Sequence, residues 1–379
     1  MHMRLHWLAL SIFVLLGGCA ITPPVTPPPV PPSAVFKPAD WAHLPGWAEN
    51  DALAAWPAFL ASCGQLKKQS VWQTVCEAAA KHTPQDDAAA RAFFERWLLP
   101  HQLSTSDGND TGLITGYYEP LLFGSRAPTS RYRFPVYAVP EDMLIIDLAN
   151  LYPELKNYRL RGRVVGNRVL PYYNRSEIEA GRAPLTGKEL LWVDDAVDLF
   201  FLQIQGSGRV QLESGEVIRV GYADQNGHPY VSIGKKLVEM GELSVDQASM
   251  QGIKQWGTRN PDKLPALLNH NASFVFFREL PPSPNGPPGA LGVPLTGGRS
   301  LAVDPRAVTL GSPVYLATTF PNSAQPLNRL MLAQDTGGAI KGVVRADFFW
   351  GFGEAAGKQA GAMRQQGKIW VLLPKGAPQ

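Results

Sequence analysis

The chain has 379 residues, 45% of them hydrophobic and 18% charged, with a formal net charge of +3. That mass fits two to three domains or one domain with a large insertion, and the absence of any Lys/Arg run or basic helix argues against a nucleic-acid partner. The 34 prolines and 36 glycines favour short strands and many turns over a helical bundle.

The first residues have the pattern of an export signal. Arg4 precedes an apolar run over residues 7–18, shorter than the roughly 20 residues a membrane span takes. The run ends Leu16-Gly17-Gly18 directly before Cys19, which resembles a bacterial lipobox with Cys19 as the lipidated N-terminus. The alternative is an ordinary signal peptide that ends near a cysteine. Residue 20 is alanine, which in Gram-negative lipoprotein sorting points to the outer membrane, on its periplasmic face. Residues 1–18 are therefore expected to be a lipoprotein signal, and residues 19–38, which include TPPVTPPPVPPS, a stiff proline-rich tether. Cys63 and Cys76 remain. An even remainder in an exported chain suggests a disulfide, the alternative being two buried thiols.

Residues 40–102 read as helical. Trp56, Phe59, Leu60 and Cys63 fall at i, i+3, i+4, i+7; Val71, Trp72, Val75, Cys76 and Ala79 repeat the spacing, and Phe93 pairs with Trp97. Strands follow at 113–120 and 134–139. The apolar run DLFFLQIQ, 198–205, reads as a buried strand leading into Gly206-Ser207-Gly208. Residues 210–212 and 217–220 form a hairpin, 233–240 and 247–256 two short helices, and 273–278 a strand. A Pro/Gly-rich crossing over 281–294 precedes strands at 300–303, 314–316, 329–332 and 368–372. The fold class is mainly β with N-terminal helices.

Several chemistries lack their residues. There is no H-E-x-x-H and no Cys/His cluster, so no metal and no cofactor is expected. Gly206-Ser207-Gly208 is not a nucleophile elbow. Asp-Thr-Gly occurs at 110–112 and 335–337, as paired carboxylates of an aspartic protease would. The first copy, however, lies in the polar loop SDGNDTG with no apolar strand to present it. The stretch QDTGGAIKGVVRADFFWGFG, 334–353, is different: Asp347 stands directly before Phe348, Phe349 and Trp350. Apolar surroundings disfavour the charged carboxylate, as a general acid working near neutral pH requires. Strand alternation forbids all three rings from touching it.

With GYYEP, QIQGSGR, YADQNGHPY, FVFFRE and DTGGAIKGVVRADFFWGFG in one order, the chain from about residue 40 onward resembles the membrane-bound lytic murein transglycosylase A family. Its C-terminal part resembles the three-aspartate domain, with Asp304, Asp335 and Asp347 where that domain has its acids. The resemblance implies a double-psi β-barrel built from residues 39–120 plus 285–379. A second, smaller β domain at 121–284 would interrupt it, with a glycan groove between the two. It also implies cleavage of the β-1,4 bond between N-acetylmuramic acid and N-acetylglucosamine of peptidoglycan without water, leaving 1,6-anhydromuramyl ends. The family's single catalytic aspartate falls on Asp347. Because the nucleophile is the substrate's own C6 hydroxyl, one carboxyl can act as acid and then as base, where a hydrolase needs two.

Other roles follow by the same resemblance. Asp335 would orient Asp347 or bind sugar hydroxyls, or else bond the N–H groups of its own glycine turn. Asp304, followed by Pro305, reads as a turn acid. Tyr117, Tyr118 and Glu119 are expected along the groove, and Gln205, Gly206 and Ser207 on its other wall. Gly337 and Gly338, with Gly342, would let backbone approach the glycan or take positive φ. Lys341 would pair with Asp335 or hold substrate carboxylates. The implied partners are peptidoglycan strands, the outer membrane through the lipid anchor, and other cell-wall enzymes. A non-catalytic peptidoglycan-binding lipoprotein of the outer membrane on the same scaffold is the competing reading.

Overall fold

The computed structural model describes residues 33–283 and 285–376; the expected signal, Cys19 and residues 19–32 lie outside them. The described chain begins with a strand where a tether was expected. β1 (Ala34–Pro38) runs antiparallel to β2 (Leu98–Thr105), with Ala34 opposite Thr105 and Pro38 opposite His101. It is an edge strand, where a proline without an N–H is tolerated. Three helices separate the two strands: α1 (Trp56–Leu66), α2 (Ser70–Ala80) and α3 (Asp87–Trp97). Asp86 caps α3 by accepting from the Ala89 N–H. The aromatic stripes meet as expected: Trp56, Phe59, Trp72, Phe93 and Phe94 share one core. Cys63 and Cys76 form a disulfide between α1 and α2, their Cα atoms 5.2 Å apart. Residues 98–102, read as helix, are instead the start of β2. Pro100 disfavours helix for itself and for Leu99.

After β3 (Gly112–Glu119) the chain enters a separate set of elements. These are β4 (Leu121–Ser125), β5 (Phe134–Tyr137), β6 (Leu144–Ile146), β7 (Leu160–Val165), β8 (Arg168–Pro171), α4 (Arg175–Glu179) and β9 (Glu189–Val193). Then come α5 (Ala196–Gln205), β10 (Ser207–Leu212), β11 (Val217–Gln225), α6 (Ile233–Glu239), α7 (Met250–Arg259), α8 (Leu264–Asn269) and β12 (Val275–Leu280). Their strands make one six-stranded sheet, β12-β11-β10-β4-β9-β5, and one three-stranded sheet, β6-β7-β8.

The run at 198–205 is α5, not a strand. Asp195 accepts from the N–H groups of Val197 and Asp198 and starts the helix. Gly206, at φ +77°, ends it in the left-handed conformation that a residue with a Cβ resists. Both sides of α5 are covered. Leu199 and Leu202 pack on the six-stranded sheet; Val197 and Phe200 pack on α6, α7 and α8. A helix apolar all round shows no 3.6-residue period, which is why the run imitates a buried strand.

The chain then returns through β13 (Ser300–Val303), β14 (Pro313–Thr319), β15 (Pro326–Asp335), β16 (Ala346–Phe352), α9 (Gly353–Ala362) and β17 (Arg364–Pro374). With β1, β2 and β3 these strands form an eight-stranded sheet, β1-β2-β17-β14-β15-β13-β16-β3. β3 also pairs with β17, so six strands close into a ring. Two contacts in the ring are parallel, β13 with β15 and β3 with β16. Leu301, Val303, Val314, Met331, Phe348 and Ile369 fill one core of this sheet. The chain is thus mostly β with some helices, in a two-domain arrangement.

Candidate active site

Register brings the two aspartates of the glycine-rich stretch onto one row. Ala302 in β13 stands opposite Asp335 on one side and Asp347 on the other, and Asp347 stands opposite Thr115 in β3. Asp335 and Asp347 are therefore two strand spacings apart, or about 10 Å between Cα atoms. The residue between them has only a methyl side chain, which leaves room above the row. Directly paired residues share a face, so two positions along, Tyr117 and Phe349 face the same way. Their rings meet at 5.0 Å, and with Ala302, Leu295 and Ile340 they make an apolar floor beside the carboxyls.

Of the three aromatics after Asp347, only Phe349 belongs to this floor. Phe348 and Trp350 point to the opposite face, with ring centroids 4.6 Å apart.

Asp347 is half-buried. Its Oδ1 accepts the Thr115 hydroxyl at 2.6 Å. Enclosure by protein pushes its pKa up to about 6; the Thr115 hydrogen bond and the Arg345 charge oppose this, and the Asp335 charge adds to it. Asp335 is held by three donors. Its Oδ1 accepts from the N–H groups of Ala290 and Thr336, both at 2.9 Å, and its Oδ2 from the Tyr117 hydroxyl at 3.0 Å. Burial still raises its pKa above the ordinary carboxylate value. Tyr117 is itself buried and raised well above the usual phenol range, first by desolvation and then by the two carboxylates. It is a neutral donor at any pH the protein meets.

Asp304 behaves as a turn acid. It accepts from Arg306 Nε at 3.0 Å, Nη2 at 2.6 Å and the backbone N–H at 3.1 Å, and from the Gly342 N–H at 2.9 Å. Burial alone would raise its pKa, but these donors hold it down at about 2. Through Gly342 it anchors the loop between β15 and β16.

The remaining expected residues divide. Glu119 is 1% exposed and bonded to Arg209 of β10, at 3.0 Å to Nε and 2.9 Å to Nη2. It is an internal ion pair joining the end of β3 to the inserted sheet, not an open groove residue, and the Arg209 guanidinium also lies 4.0 Å over the Phe352 ring. Tyr118 turns to the other face, its hydroxyl 3.3 Å from Met250 Sδ in α7 and its N–H donating to Gln205 Oε1 at 3.1 Å. Gln205 thus reaches β3 from the inserted part at the end of α5, while Gly206 and Ser207 lie against β11. Gly337 and Gly338 follow Asp335 and Thr336; neither has positive φ, whereas Gly342 does, at +121°. Lys341 is exposed and makes no ion pair with Asp335.

Two residues at the site were not singled out from the sequence, Thr115 and Arg345. The signal for Thr115 was its two-residue offset from Tyr117 in a strand. Arg345 lies two residues before Asp347, but its contact with Thr115 depends on a pairing 230 positions away.

Known proteins resemble this chain in sequence and in fold. Residues 113–278 match the MltA specific insert domain and residues 299–373 match the 3D domain. The membrane-bound lytic murein transglycosylase A of Escherichia coli K12 is 34% identical over 279 residues, covering 72% of this chain and 68% of that protein. The crystal structure of MltA from Neisseria gonorrhoeae has a TM-score of 0.80 at 42% identity, covering 91% of this chain and 94% of that one. The structure of E. coli MltA with bound chitohexaose has a TM-score of 0.63 at 26% identity, covering 92% and 95%. On sequence and fold together, the chain belongs to the membrane-bound lytic murein transglycosylase A family.

Proposed function

We propose that this protein is a peptidoglycan lytic transglycosylase in which Asp347 is both general acid and general base. The observation that carries the reading is a half-buried carboxyl whose pKa is pushed up to about 6, beside an apolar floor. In the protonated form Asp347 gives its proton to the glycosidic oxygen as the C1–O4 bond breaks. The carboxylate left behind takes the proton of the muramyl C6 hydroxyl as that oxygen attacks C1. The product is a 1,6-anhydromuramyl end, and the acid is restored. General acid–base catalysis of this kind contributes about 10²–10⁴-fold.

Asp335 has its oxygens engaged by three donors, which suits a supporting charge better than a second proton carrier. Its negative charge favours the protonated form of Asp347. The six-strand ring with its two parallel contacts supports a double-psi β-barrel. Sheet membership supports a barrel domain of about 39–120 plus 285 onward, to which the pairing of β1 with β2 adds residues 34–38, and an inserted domain at about 121–284. The glycan would lie in a groove between them, with Gln205 to Ser207 on the inserted side. The chitohexaose in the E. coli relative supports a sugar-chain substrate. That relative's membrane-bound name and the cysteine at the end of the apolar run support a lipid anchor at Cys19 on the periplasmic face of the outer membrane.

The test is digestion of purified sacculi by the full-length chain in mild detergent, with mass spectrometry of the muropeptides. Products one water lighter than hydrolytic ones, lost in Asp347→Ala, are expected. Reducing ends would identify a hydrolase and require another carboxylate. Binding to sacculi without any product would leave a binding protein.

A further inference from the structure

The hydrogen bonds around Asp347 run in one direction. A guanidinium can only donate. Arg345 Nη2 donates to Thr115 Oγ1 at 2.8 Å, and Nη1 donates to the carbonyls of Leu113, at 3.2 Å, and Ala346. Three acceptors on two strands fix the group in place. With a lone pair so engaged, the Thr115 hydroxyl turns its hydrogen to Asp347 Oδ1 at 2.6 Å. That length lies within the ordinary range of an O–H···O hydrogen bond. Among the described residues no side chain or backbone donor reaches Asp347 Oδ2.

We propose that Arg345 and Thr115 are positioning residues: their relay dedicates Asp347 Oδ1 to the fold and leaves Oδ2 as the oxygen that delivers and recovers the proton. This rests on the acid–base role given to Asp347 above. The Oδ2–H bond breaks as O4–H forms, and the electron pair of C1–O4 goes to the leaving oxygen. The C6 hydroxyl hydrogen then passes to Oδ2 as C6–O–C1 forms, so atoms and charge balance and the enzyme is unchanged. Oδ1 keeps its Thr115 hydrogen bond throughout, so the carboxyl plane does not turn between the two steps.

The relay also sets the working pH range. The Thr115 hydrogen bond and the Arg345 charge favour the carboxylate against the enclosure that disfavours it. The other groups around Asp347 are few. Asp335, from β15, pushes the opposite way, Tyr117 from β3 is neutral, and β13 presents Ala302. Arg364 of β17 is exposed, opposite Thr115 in the β3–β17 pair. On α9, Glu354 and Lys358 are exposed and paired with each other at 2.8 Å. Removing either member of the relay therefore takes away one of the two influences that oppose enclosure and Asp335, and the acid should hold its proton to higher pH.

The experiment measures initial rates of anhydromuropeptide release at limiting glycan strands, which follow kcat/KM, across about pH 4 to 9 with the full-length chain in detergent. The rate falls as Asp347 loses its proton, so the wild type should show a basic limb near its pKa. In Thr115→Val that limb should move up by on the order of one pH unit. Arg345→Met should move it the same way, and Thr115→Ser should bring it back. Variants that lose rate equally at every pH, with the limb unmoved, would overturn the relay. Should Thr115→Val fail to fold in a thermal melt, Arg345→Met decides alone, since it leaves the hydroxyl in place. A wild type that releases no anhydro product would overturn the assigned function as well, before any variant is compared.

Discussion

Asp304 directly follows β13 and Asp347 lies on the neighbouring β16, opposite Ala302 and so two residues away in register, yet their proton affinities separate in opposite directions. The turn after β13 encloses Asp304 and gives it four N–H donors, three of them from Arg306. The face of β16 encloses Asp347 and gives it one hydroxyl. Burial alone raises both; what differs is how much hydrogen bonding answers it. One acid is held at about 2 and is a fixed anion, the other at about 6 and is a usable proton. A carboxyl is thus made chemical by what its surroundings withhold.

The strongest way to break that comparison is Asp347→Asn. The amide keeps the shape and the Thr115 contact but cannot exchange the proton. A loss of about 10²–10⁴-fold in anhydromuropeptide release is expected; near-normal turnover would refute a proton role.

The two acids should also act oppositely on stability. Asp347 has a folded pKa above its unfolded value. Its favourable contribution is present below about pH 4 and is lost as pH rises through about 6. Asp347→Asn should therefore gain about 2 kcal/mol over wild type at pH 8 relative to its effect at pH 4. Paired thermal melts at the two pH values measure this, and an equal effect at both would mean that Asp347 ionises without strain.

Asp304 has a depressed folded pKa, so its contribution is present above about pH 4 and is lost as pH falls toward 2. Asp304→Asn should cost about 1–2 kcal/mol at pH 7, the lower figure allowing for the solvent around half-exposed Arg306, and little near pH 2. Urea unfolding at the two pH values would show it. Smallest of all, Tyr117→Phe removes one of three donors to Asp335. It should cost about 1 kcal/mol and raise the pKa of Asp335, reducing activity several-fold while leaving the products unchanged.

The sequence carried much of this, unevenly. Asp347 was legible because its aromatic neighbours adjoin it in the chain, and α1–α3 because each buries one stripe against one core. α5 was not, because both of its sides are covered and its periodicity vanishes. Glu119 read as a groove residue because Arg209, the partner that encloses it, lies 90 positions away. Thr115 and Arg345 escaped for the same reason, since only the parallel pairing of β3 with β16 makes them neighbours. The small strands β6, β7 and β8, three to six residues each, are too short to impose a pattern. Local chemistry is written locally; a hydrogen bond that spans 232 residues is written nowhere until the sheet closes.

That closure has a consequence for how the protein is made. β3 is synthesised early, but both of its neighbours in the ring, β16 and β17, come last. A nascent chain can fold α1–α3 and the inserted sheet while its first strands still wait for partners. Contacts of such long sequence separation form slowly, and unpaired strand edges are exposed meanwhile. Until β16 has emerged and paired with β3, Asp347 has neither its Thr115 hydrogen bond nor the row of neighbours that encloses it, so the acid of the site is assembled only when the ring closes.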